Sequence, residues 1–339
     1  MEEVLKALIY ASERAANIAR SCCNDSASES LLVAEKGEGE ANARFDKDFK
    51  TIADVLAQES ARNEVAFKCP NLAKHFRGEE CAEINGVSIK LQENVDKTAE
   101  LLSSLVPQIS AVRMAEAAHN AINITIEELP IDLPEINPAE LGVWIDPIDA
   151  TAEFIAGVRG EAESERGLPC VTVLIGAYSR ATGEPVVGVI NQPFYNNGSG
   201  RILWGVNYNG TQKFNICEIE TGNKTILMSA AENPVLADKF KANGWLVKSV
   251  PGAGHKLMKV ALGEAAAYIV SKGTTFRWDT CAPHAILCAK GGDILSYTTY
   301  VPVTYNDPMN IDTQQYANVE GIIAYTKPEV LDEIKNILI

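Results

Sequence analysis

Residues 144–151, with the sequence Trp-Ile-Asp-Pro-Ile-Asp-Ala-Thr, constrain this chain more than any other segment. The apolar residues 143–145 predict a buried strand that leads directly into two carboxylates three positions apart. Pro147 has no amide hydrogen, so we expect the strand ladder to stop there and the backbone to turn. A turn brings Asp146 and Asp149 together, whereas an unbroken strand would point them to opposite faces. Two converging carboxylates at a buried strand end repel each other, and a bound cation is the usual remedy.

The composition indicates an ordinary globular protein, built as one large domain or as two tightly packed halves. The chain has 339 residues, of which 46% are hydrophobic. Its formal charge of −15 argues against non-specific nucleic-acid binding, which needs an excess of Lys and Arg. No apolar run approaches the ~18 residues that span a bilayer, and the acidic N-terminus lacks the form of a signal peptide. The eight cysteines show no paired spacing, so we expect reduced thiols and a cytoplasmic protein without a membrane partner.

Two patterns of secondary structure divide the chain near residue 222. The first part combines amphipathic helices with hairpins, and its predicted helices cover residues 2–21, 47–63 and 95–121. Its predicted strands cover residues 143–145, 171–178, 186–191 and 202–208, the last followed by the turn dipeptide Asn209-Gly210. The second part alternates strands (225–229, 245–250 and 265–270) with helices (from residue 256 and at 281–289). We therefore expect an α/β fold, with an α+β half on an antiparallel or mixed sheet over residues 1–221 and an α/β half of parallel character over residues 222–339.

Acidic residues at four places supply candidate metal ligands: Asp54, the pair Glu79 and Glu80, the pair Asp146 and Asp149, and Asp279. Three of these places have a simpler interpretation when taken alone. Asp54 suits a solvated helix face, the glutamates suit a protein surface, and Asp279 suits a helix N-cap. Together the four places give five or six carboxylates, enough for a phosphate site with two or three metal ions. Oxygen ligands without a Cys or His cluster favour Mg²⁺.

The residues around Asp146 suggest how such a site would hydrolyse a phosphate ester. Asp146 can bridge two cations, and the carbonyl of Ile148 is free to bind one of them. Ions about 3.5–4 Å apart activate a water molecule and stabilise the leaving oxygen. The segment from Ala150 is predicted to open a helix, whose free amides would bind phosphate oxygens. Thr151 would relay a proton from the water to Asp54, the leading candidate for the general base.

A second candidate anion site is the turn 251–256, with the sequence Pro-Gly-Ala-Gly-His-Lys. A strand-to-helix turn is the simpler interpretation of its glycines, whereas Lys256 favours phosphate binding. The sequence contains no Cys-x5-Arg, Gly-x4-Gly-Lys-Ser/Thr or His-Glu-x-x-His motif, which argues against the corresponding enzyme classes. The four histidines are scattered, and we interpret His284, within an apolar helix, as a core residue.

The acidic clusters, in their order along the chain, resemble the lithium-sensitive, magnesium-dependent phosphomonoesterases of the inositol monophosphatase and fructose-1,6-bisphosphatase superfamily. The similarity spans nearly the whole chain, since further segments outside the clusters also match: residues 35–40, 48–56, 170–176, 188–194 and 252–256. The resemblance implies a layered αβαβα sandwich of the sugar-phosphatase type. Two positions depart from the family pattern, namely Ala150, where the family usually has Gly or Ser, and His255.

The resemblance also implies metal ligands and substrate contacts. It implies three ligands at one metal ion: Glu79, Asp146 and the carbonyl of Ile148. A second ion would share Asp146 and add Asp149 and Asp279. Glu80 and Asp54 would border a third ion and the nucleophilic water, with Thr151 in the proton relay. Phosphate contacts are implied for six residues: Ala150, Thr151, Gly252, Ala253, Lys256 and Thr274.

The reaction, cofactors and partners follow from the same resemblance. It implies removal of the 1-phosphate from inositol 1,4-bisphosphate and inositol 1,3,4-trisphosphate by direct attack of water, without a phospho-enzyme. Mg²⁺ would be the cofactor, Li⁺ an inhibitor and Ca²⁺ an inhibitory substitute, and a monomer would act on these small inositol phosphates. Within the superfamily, the alternative is a 3′(2′),5′-bisphosphate nucleotidase. The alternative outside enzymes is a catalytically silent inositide-binding protein.

Overall fold

The computed structural model describes residues 1–23, 31–37, 48–124, 129, 132–216, 224–306 and 316–339. Two features of the sequence interpretation lie outside these residues, namely the boundary at residue 221 and the segment 38–40. The division of the chain into two halves therefore stays a prediction. Among the described residues, no helix combines the length and the apolar character required to cross a membrane.

Helices and strands alternate along the chain. The helices before residue 217 are α1 (Glu2–Ser21), α2 (Ile52–Lys68), α3 (Pro70–Ala73), α4 (Val95–Leu102), α5 (Gln108–His119), α6 (Thr151–Val158) and α7 (Tyr195–Gly198). The strands in the same part are β1 (Val33–Glu35), β2 (Phe49–Thr51), β3 (Phe76–Gly78), β4 (Glu83–Ile84), β5 (Val87–Ser88), β6 (Leu141–Asp149), β7 (Thr172–Ser179), β8 (Pro185–Gln192), β9 (Arg201–Tyr208) and β10 (Thr211–Phe214). After residue 223 the strands are β11 (Thr225–Met228), β12 (Leu246–Ser249), β13 (Ala267–Val270), β14 (Asp293–Ser296) and β15 (Ile322–Tyr325). The helices in that part are α8 (Pro234–Ala242), α9 (Ala253–Ala261), α10 (Arg277–Ala289) and α11 (Pro328–Leu338).

Most predicted elements are present, and the shifts of their ends have local causes. Helix α2 starts at Ile52 rather than at residue 47, because Thr51 caps it and β2 pairs with β1. The prediction of one helix over residues 95–121 is wrong, since Pro107 precedes a separate helix α5. Helices α9 and α10 start three and four residues earlier than predicted, at Ala253 and Arg277.

Two mixed sheets carry the fold. The first has the strand order β10-β9-β8-β7-β6-β3 and is antiparallel except for the parallel pair β3 and β6. The turn between β9 and β10 has positive φ at both Asn209 and Gly210, as the predicted hairpin requires. The second sheet has the order β12-β11-β13-β15-β14, in which β11 pairs in parallel with β12 and β13, and β15 pairs antiparallel with β13 and β14. The mixed first sheet is confirmed, whereas the parallel character of the second is limited to its first three strands.

The elements stack in five layers, in the order helix, sheet, helix, sheet, helix. Helices α1 and α2 pack on the first sheet, α9 and α10 lie between the sheets, and α8 and α11 cover the second sheet. Glycines on β7, β8 and β9 allow the close approach of α10, since a Cβ atom at Gly188 would lie 2.0 Å from the carbonyl oxygen of Ala282. A Cβ atom at Gly176 would lie 2.5 Å from the amide nitrogen of Ala282, and one at Gly205 would lie 2.8 Å from the Cα of Ile286. The predicted αβαβα fold is confirmed, and this close contact fixes the helix that carries Asp279.

Strand β6 continues through Pro147 to Asp149, so the prediction that its ladder ends at the proline is wrong. The pairing with β7 shifts within this segment: Asp146 pairs with Leu174 and Asp149 with Thr172, so three steps on β6 match two on β7. A bulge of this kind leaves one residue unpaired, which suits a proline without an amide hydrogen. The extra residue also places Asp146 and Asp149 on the same side of the strand. The convergence of the two carboxylates is therefore retained, for a different geometric reason.

Candidate metal and phosphate site

Three carboxylates meet where β6 ends and helices α9 and α10 begin. Asp146, Asp149 and Asp279 are all buried, and one oxygen of each lies within 4.8 Å of the others. Asp279 stands in the first turn of α10 and accepts a hydrogen bond from the amide of Phe276 at 2.5 Å. Phe276 is thus the N-cap residue, and the interpretation of Asp279 as the N-cap is wrong. Because a carboxylate has two oxygens, this bond leaves one oxygen of Asp279 able to bind a metal ion.

Burial and mutual repulsion make the carboxylate cluster unfavourable without a cation. Burial raises the pKa of Asp146 well above its usual range, and Glu79, Asp149 and Asp279 raise it further. Burial, Asp149 and Glu79 likewise raise the pKa of Asp279. Burial also raises the pKa of Asp149, although hydrogen-bond donors and Lys256 oppose that shift. A divalent cation would remove the repulsion, and hard carboxylate oxygens are the ligands that Mg²⁺ prefers.

We expect the metal-free protein to lose stability as the pH rises from about 5 to about 8, and Mg²⁺ to reverse the loss. Each raised pKa means that the folded state holds a proton that the unfolded chain has released above about pH 4. The stabilisation is therefore fully present below that pH and is lost as the pH rises through the folded values, which burial raises to about 6 for Asp54 and about 8 for Glu80. Thermal unfolding in EDTA and in Mg²⁺ across this range measures the effect. A Mg²⁺-induced shift in melting temperature that is equal at both ends of the range would contradict it.

Two glutamates approach the cluster from the end of β3. The amide of Glu79 donates to the carbonyl of Ile145 at 3.1 Å, and the amide of Glu80 donates to the side-chain oxygen of Gln58 at 2.9 Å. Lys36 bridges the two carboxylates, with its Nζ 2.5 Å from Glu79 Oε1 and 2.8 Å from Glu80 Oε1. Glu80 is buried, so the interpretation of both glutamates as a surface pair is wrong.

Sequence reasoning does not identify Lys36 as a site residue. The Lys36 side chain is buried. Burial by itself lowers the pKa of Lys36, but the charges of Glu79 and Glu80 hold that pKa well above its usual range. The ammonium group therefore stays charged and offsets part of the negative charge of the two glutamates. The signal that the sequence offers is the position of Lys36 within the segment 35–40, which forms part of the family resemblance.

Thr151 and Asp54 make the contact that the sequence predicts. The hydroxyl of Thr151 lies 3.3 Å from Asp54 Oδ1 and 3.2 Å from the carbonyl oxygen of Ile148. The other carboxylate oxygen of Asp54 accepts hydrogen bonds from the hydroxyl of Thr51 and, at 2.8 Å, from its amide. Asp54 is 1% exposed, so its interpretation as a solvated helix residue is wrong. Burial raises the pKa of Asp54 to about 6, which leaves it mostly ionised at neutral pH and able to accept a proton.

Ala150 joins β6 to α6 in a left-handed backbone conformation, with φ 68° and ψ 48°. An L-residue with a Cβ atom is strained in this region, whereas glycine is not. The conformation explains why glycine suits this position, and we expect alanine to be less stable here than glycine. Alanine at this position leaves the free amides at the start of α6 in place, and these are the groups predicted to bind phosphate.

We expect Ala150→Gly to raise the free energy of unfolding by about 0.5–1 kcal/mol, because it removes the backbone strain. Ala152→Gly, two residues later and inside α6, is the matched control, and it should lower the free energy of unfolding by up to about 1 kcal/mol. Denaturant unfolding of the two variants and the parent chain measures both changes. Destabilisation by both substitutions would contradict the strain at Ala150.

The glycine-rich turn before α9 approaches Asp149 closely. Gly252 has φ 77°, and Cβ atoms at Gly252 and Gly254 would lie 2.9 and 3.0 Å from Asp149 Oδ2. The amide of His255 donates to the same oxygen at 3.2 Å. Burial lowers the pKa of the His255 side chain to about 4, so that departure from the family pattern adds no charge at neutral pH. The glycines let the start of α9 pack directly against a candidate metal ligand, and their role as an anion site stays a prediction.

Lys256 is a buried cation in the first turns of α9. Its Nζ donates to the carbonyl oxygens of Val250 at 3.0 Å and Gly252 at 2.7 Å. Burial lowers the pKa of Lys256, whereas the nearby Asp149 and Asp279 raise it. An ammonium group has three hydrogens, so these two bonds leave one for a phosphate oxygen.

A cleft of about 1230 Å³ opens over these residues. Eleven of the predicted site residues line it: Glu79, Asp146, Ile148, Asp149, Ala150, Thr151, Gly252, Ala253, Lys256, Thr274 and Asp279. The other two, Asp54 and Glu80, are buried carboxylates that contact Thr151 and Lys36. Arg166 and Lys272 also line the cleft, and sequence reasoning does not identify them because they belong to no motif. Arg166 already pairs with Glu153 at 2.5 Å, and both cations favour an anionic ligand in the cleft.

Comparison of the sequence with known proteins assigns this chain to a family. The profile described as "Inositol monophosphatase family" matches residues 1–330. The chain is 33% identical over 394 residues to the inositol polyphosphate 1-phosphatase of Homo sapiens, covering 100% of this chain and 98% of that protein. It is 32% identical over 324 residues to the 3′(2′),5′-bisphosphate nucleotidase 1 of Homo sapiens, with 91% of each covered.

Among solved structures, the extragenic suppressor protein suhB of Bartonella henselae matches with a TM-score of 0.58. The match covers 99% of this chain and 98% of that one, at 18% sequence identity, and so concerns the fold alone. The resemblance inferred from the acidic motifs is confirmed: this chain is a phosphatase of the inositol monophosphatase family.

Proposed function

We propose that the chain is a Mg²⁺-dependent inositol polyphosphate 1-phosphatase, which removes the 1-phosphate of inositol 1,4-bisphosphate and inositol 1,3,4-trisphosphate. The observation that carries the proposal is the buried cluster of Asp146, Asp149 and Asp279 at the base of a cleft that also holds cationic side chains. The position of Thr151 between this cluster and Asp54 adds a path for a proton.

The residues in the cleft fit two or three Mg²⁺ ions. Glu79, Asp146 and the carbonyl oxygen of Ile148 would hold one ion, and Asp146, Asp149 and Asp279 a second. Glu80 and Asp54 would border a third. The argument for Mg²⁺ is that each candidate ligand atom is a hard oxygen. In addition, the buried carboxylates repel one another, and a bound cation would offset that repulsion. When bound, such ions offset the charge of the phosphate and lower the pKa of a water molecule.

The protein's own contribution to the chemistry is to move the proton and to orient the phosphate. In the proposed reaction, the Thr151 hydroxyl accepts a proton from the attacking water and passes its own to Asp54, 3.3 Å away. The hydrogen bonds from Thr51 hold the carboxylate of Asp54 in place for this transfer. Amides at the start of α6 and α9, together with Lys256 and Thr274, would orient the phosphate.

The relatives support an inositide more than a nucleotide as the substrate. The similarity to the inositol polyphosphate 1-phosphatase covers the whole chain, whereas that to the bisphosphate nucleotidase covers 91% of it. The long segment between Glu80 and Trp144, which contains α4 and α5, and the run 188–194 favour the inositide enzyme as well. Arg166 and Lys272 line the cleft, and a second phosphate of either substrate could bind them, so the cleft charge does not separate the two.

A direct competition between the two substrates tests the proposal. Phosphate release in Mg²⁺ is measured from inositol 1,4-bisphosphate and from 3′-phosphoadenosine 5′-phosphate. We expect kcat/KM for the inositide to be higher by at least about tenfold. A clear preference for the nucleotide would replace this proposal by the nucleotidase alternative. Release from neither substrate would support the silent inositide-binding protein, against which the presence of every implied ligand argues.

Lithium gives a second readout of the same site. As the family resemblance implies, we expect Li⁺ to inhibit turnover in an uncompetitive manner, so that more substrate does not restore the rate. Ca²⁺ would act as an inhibitory substitute for Mg²⁺. We also propose that the active species is a cytoplasmic monomer with no nucleic-acid or membrane partner. Insensitivity to lithium would contradict the lithium-inhibited site that the family resemblance implies.

A further inference from the structure

Three side chains with metal-binding atoms meet at the end of α10 opposite to Asp279. His284 and Cys288 stand four residues apart and so lie on the same face of the helix, and Asp293 opens the next strand, β14. One ligand atom of each lies within 4.8 Å of the others. The proposed phosphatase reaction uses none of them, and the expectation that His284 is a simple core residue accounts for its burial but not for its two polar neighbours.

Hydrogen bonds orient His284 and Asp293 toward each other. The hydroxyl of Tyr305 lies 2.8 Å from His284 Nδ1, which turns the other ring nitrogen, Nε2, toward Asp293 Oδ1 at 2.5 Å. Asp293 Oδ1 also accepts the amide of Ile294 at 2.8 Å, and Cys288 Sγ lies 3.8 Å from it. The imidazole of His284, the thiol of Cys288 and the carboxylate of Asp293 therefore lie next to one another. The ring nitrogen of His284 that points away from Asp293, Nδ1, contacts Tyr305.

The turn between α10 and β14 holds Asp293 in this position. Gly291 has φ 88°, a conformation that suits glycine. A Cβ atom at Gly292 would lie 2.2 Å from the carbonyl oxygen of Tyr325, so any residue other than glycine would clash at this position. The turn is thereby fixed by packing against β15, and Asp293 returns to the helix face that carries His284 and Cys288.

We propose that His284, Cys288 and Asp293 form a Zn²⁺ site. One nitrogen, one sulfur and one oxygen ligand match the borderline-soft Zn²⁺, whereas a thiolate is a poor ligand for Mg²⁺. Tetrahedral zinc places its ligand atoms about 3.4–3.6 Å apart. The sulfur–oxygen distance of 3.8 Å is close to this value, and the nitrogen–oxygen pair would separate by about 1 Å.

The surroundings supply the remaining requirements of a zinc site. The side chain of Asp293 is 26% exposed, which gives an ion and a fourth ligand, a water molecule, access from solvent. His284 is 1% exposed, and Tyr305 can accept a hydrogen bond from Nδ1–H once Nε2 binds the ion, the arrangement usual for zinc-bound histidines. Binding would replace the proton of the Cys288 thiol, which is released to the buffer, while the single imidazole proton of His284 would move from Nε2 to Nδ1.

Cobalt substitution tests the site on the full-length chain, in an excess of Mg²⁺ to occupy the acidic cluster. We expect one tightly bound Co²⁺ per chain with the absorption of a thiolate-to-cobalt charge transfer, and displacement of Co²⁺ by Zn²⁺. Cys288→Ser should abolish the charge-transfer band, and Asp293→Asn should weaken Zn²⁺ binding by at least about tenfold. Cys23→Ser, which changes a thiol at the end of α1, is the matched control and should leave both readouts unchanged.

Circular dichroism and thermal unfolding of each variant separate a lost ligand from a lost fold. Asp293→Asn keeps the shape of the side chain, so it reports on the site even if Cys288→Ser fails to fold. The proposal is overturned if the parent chain binds Co²⁺ or Zn²⁺ no more tightly than the double variant Cys288→Ser/Asp293→Asn does. It is also overturned if the charge-transfer band persists in Cys288→Ser. Phosphatase activity enters neither readout, so the outcome is independent of the proposed function.

Discussion

Asp146→Asn is expected to abolish phosphate release and, at the same time, to stabilise the metal-free protein. Asp146 is the candidate ligand shared by two ions, so its loss should lower kcat by at least about 1,000-fold, equivalent to several kcal/mol of transition-state stabilisation. The same carboxylate is buried, and Glu79, Asp149 and Asp279 repel it. The neutral amide removes this repulsion and should raise the free energy of unfolding in EDTA by about 1–3 kcal/mol at neutral pH.

Thermal unfolding with and without Mg²⁺ separates the two effects of Asp146→Asn. Mg²⁺ should raise the melting temperature of the parent chain and leave that of the variant almost unchanged, because ligand binding stabilises only a protein that binds. The amide of Ile148 donates to Asp146 Oδ1 at 3.1 Å, and an asparagine oxygen can accept the same bond. Asp96→Asn, at an exposed position in the first turn of α4, is the control for the chemical change. An inactive Asp146→Asn that is also less stable in EDTA would mean that Asp146 holds the fold rather than a metal ion.

Asp54→Asn is expected to lower kcat by about 100 to 10,000-fold while Mg²⁺ and substrate binding stay nearly unchanged. Asp54 contacts Thr151 and the cap of α2 and is not among the implied ligands of the first two ions. The asparagine retains an oxygen that can accept the hydrogen bond from the amide of Thr51, but it cannot take up a proton. The same reasoning applies to Asp54→Ala, at a greater risk to the helix cap. Steady-state kinetics, with the Mg²⁺-induced melting shift as the binding readout, measure the effect.

Thr151 offers a matched pair of variants for the same proton path. Thr151→Ser keeps the hydroxyl and should retain most of the activity, whereas Thr151→Val keeps the shape and should lower kcat about as much as Asp54→Asn. The double variant Asp54→Asn/Thr151→Val should be little worse than either single variant, because both remove one path. Turnover by Asp54→Asn close to that of the parent chain would remove Asp54 from the mechanism.

The candidate site can be proposed from the sequence because its candidate ligands lie in short, ordered clusters. The convergence of Asp146 and Asp149 follows from a proline between two acids, although a bulge rather than a strand end produces it. Asp54 and Asp279 cannot be told from ordinary helix residues by local reasoning. The structure places each at the third position of its helix, where its side chain accepts the amide of the N-cap residue. A carboxylate with two oxygens can accept that hydrogen bond and still bind a cation or a proton, so this helix contact and a functional role are compatible at both positions.

The parts that sequence reasoning missed depend on contacts between distant segments. Lys36 meets Glu79 and Glu80 across 43 and 44 positions of chain, and nothing local marks it as buried. The strain at Ala150 is invisible in the residue type, because its cause is the backbone angle between β6 and α6. His284 was interpreted correctly as buried, but its neighbour Asp293 comes close only through the Gly291–Gly292 turn.

The buried carboxylate cluster is expected to lower folding stability and to favour binding of a cation. Asp146, Asp149 and Asp279 are buried together although each raises the cost of the others, and their nearest compensation among the described residues comes from Lys36 and Lys256. Such an arrangement is poor for folding without a cation and good for binding one. The predicted loss of stability in EDTA and the predicted gain of stability in the Asp146→Asn variant therefore have one electrostatic cause.

Phosphate release from inositol 1,4-bisphosphate as a function of Mg²⁺ concentration, with identification of the product, tests the central claim most directly. The account predicts no release in EDTA, a saturable rise with Mg²⁺, and inositol 4-phosphate as the product, since the 1-phosphate is the one removed. Release that persists in EDTA would contradict the metal site. Formation of inositol 1-phosphate instead would contradict the proposed position of cleavage.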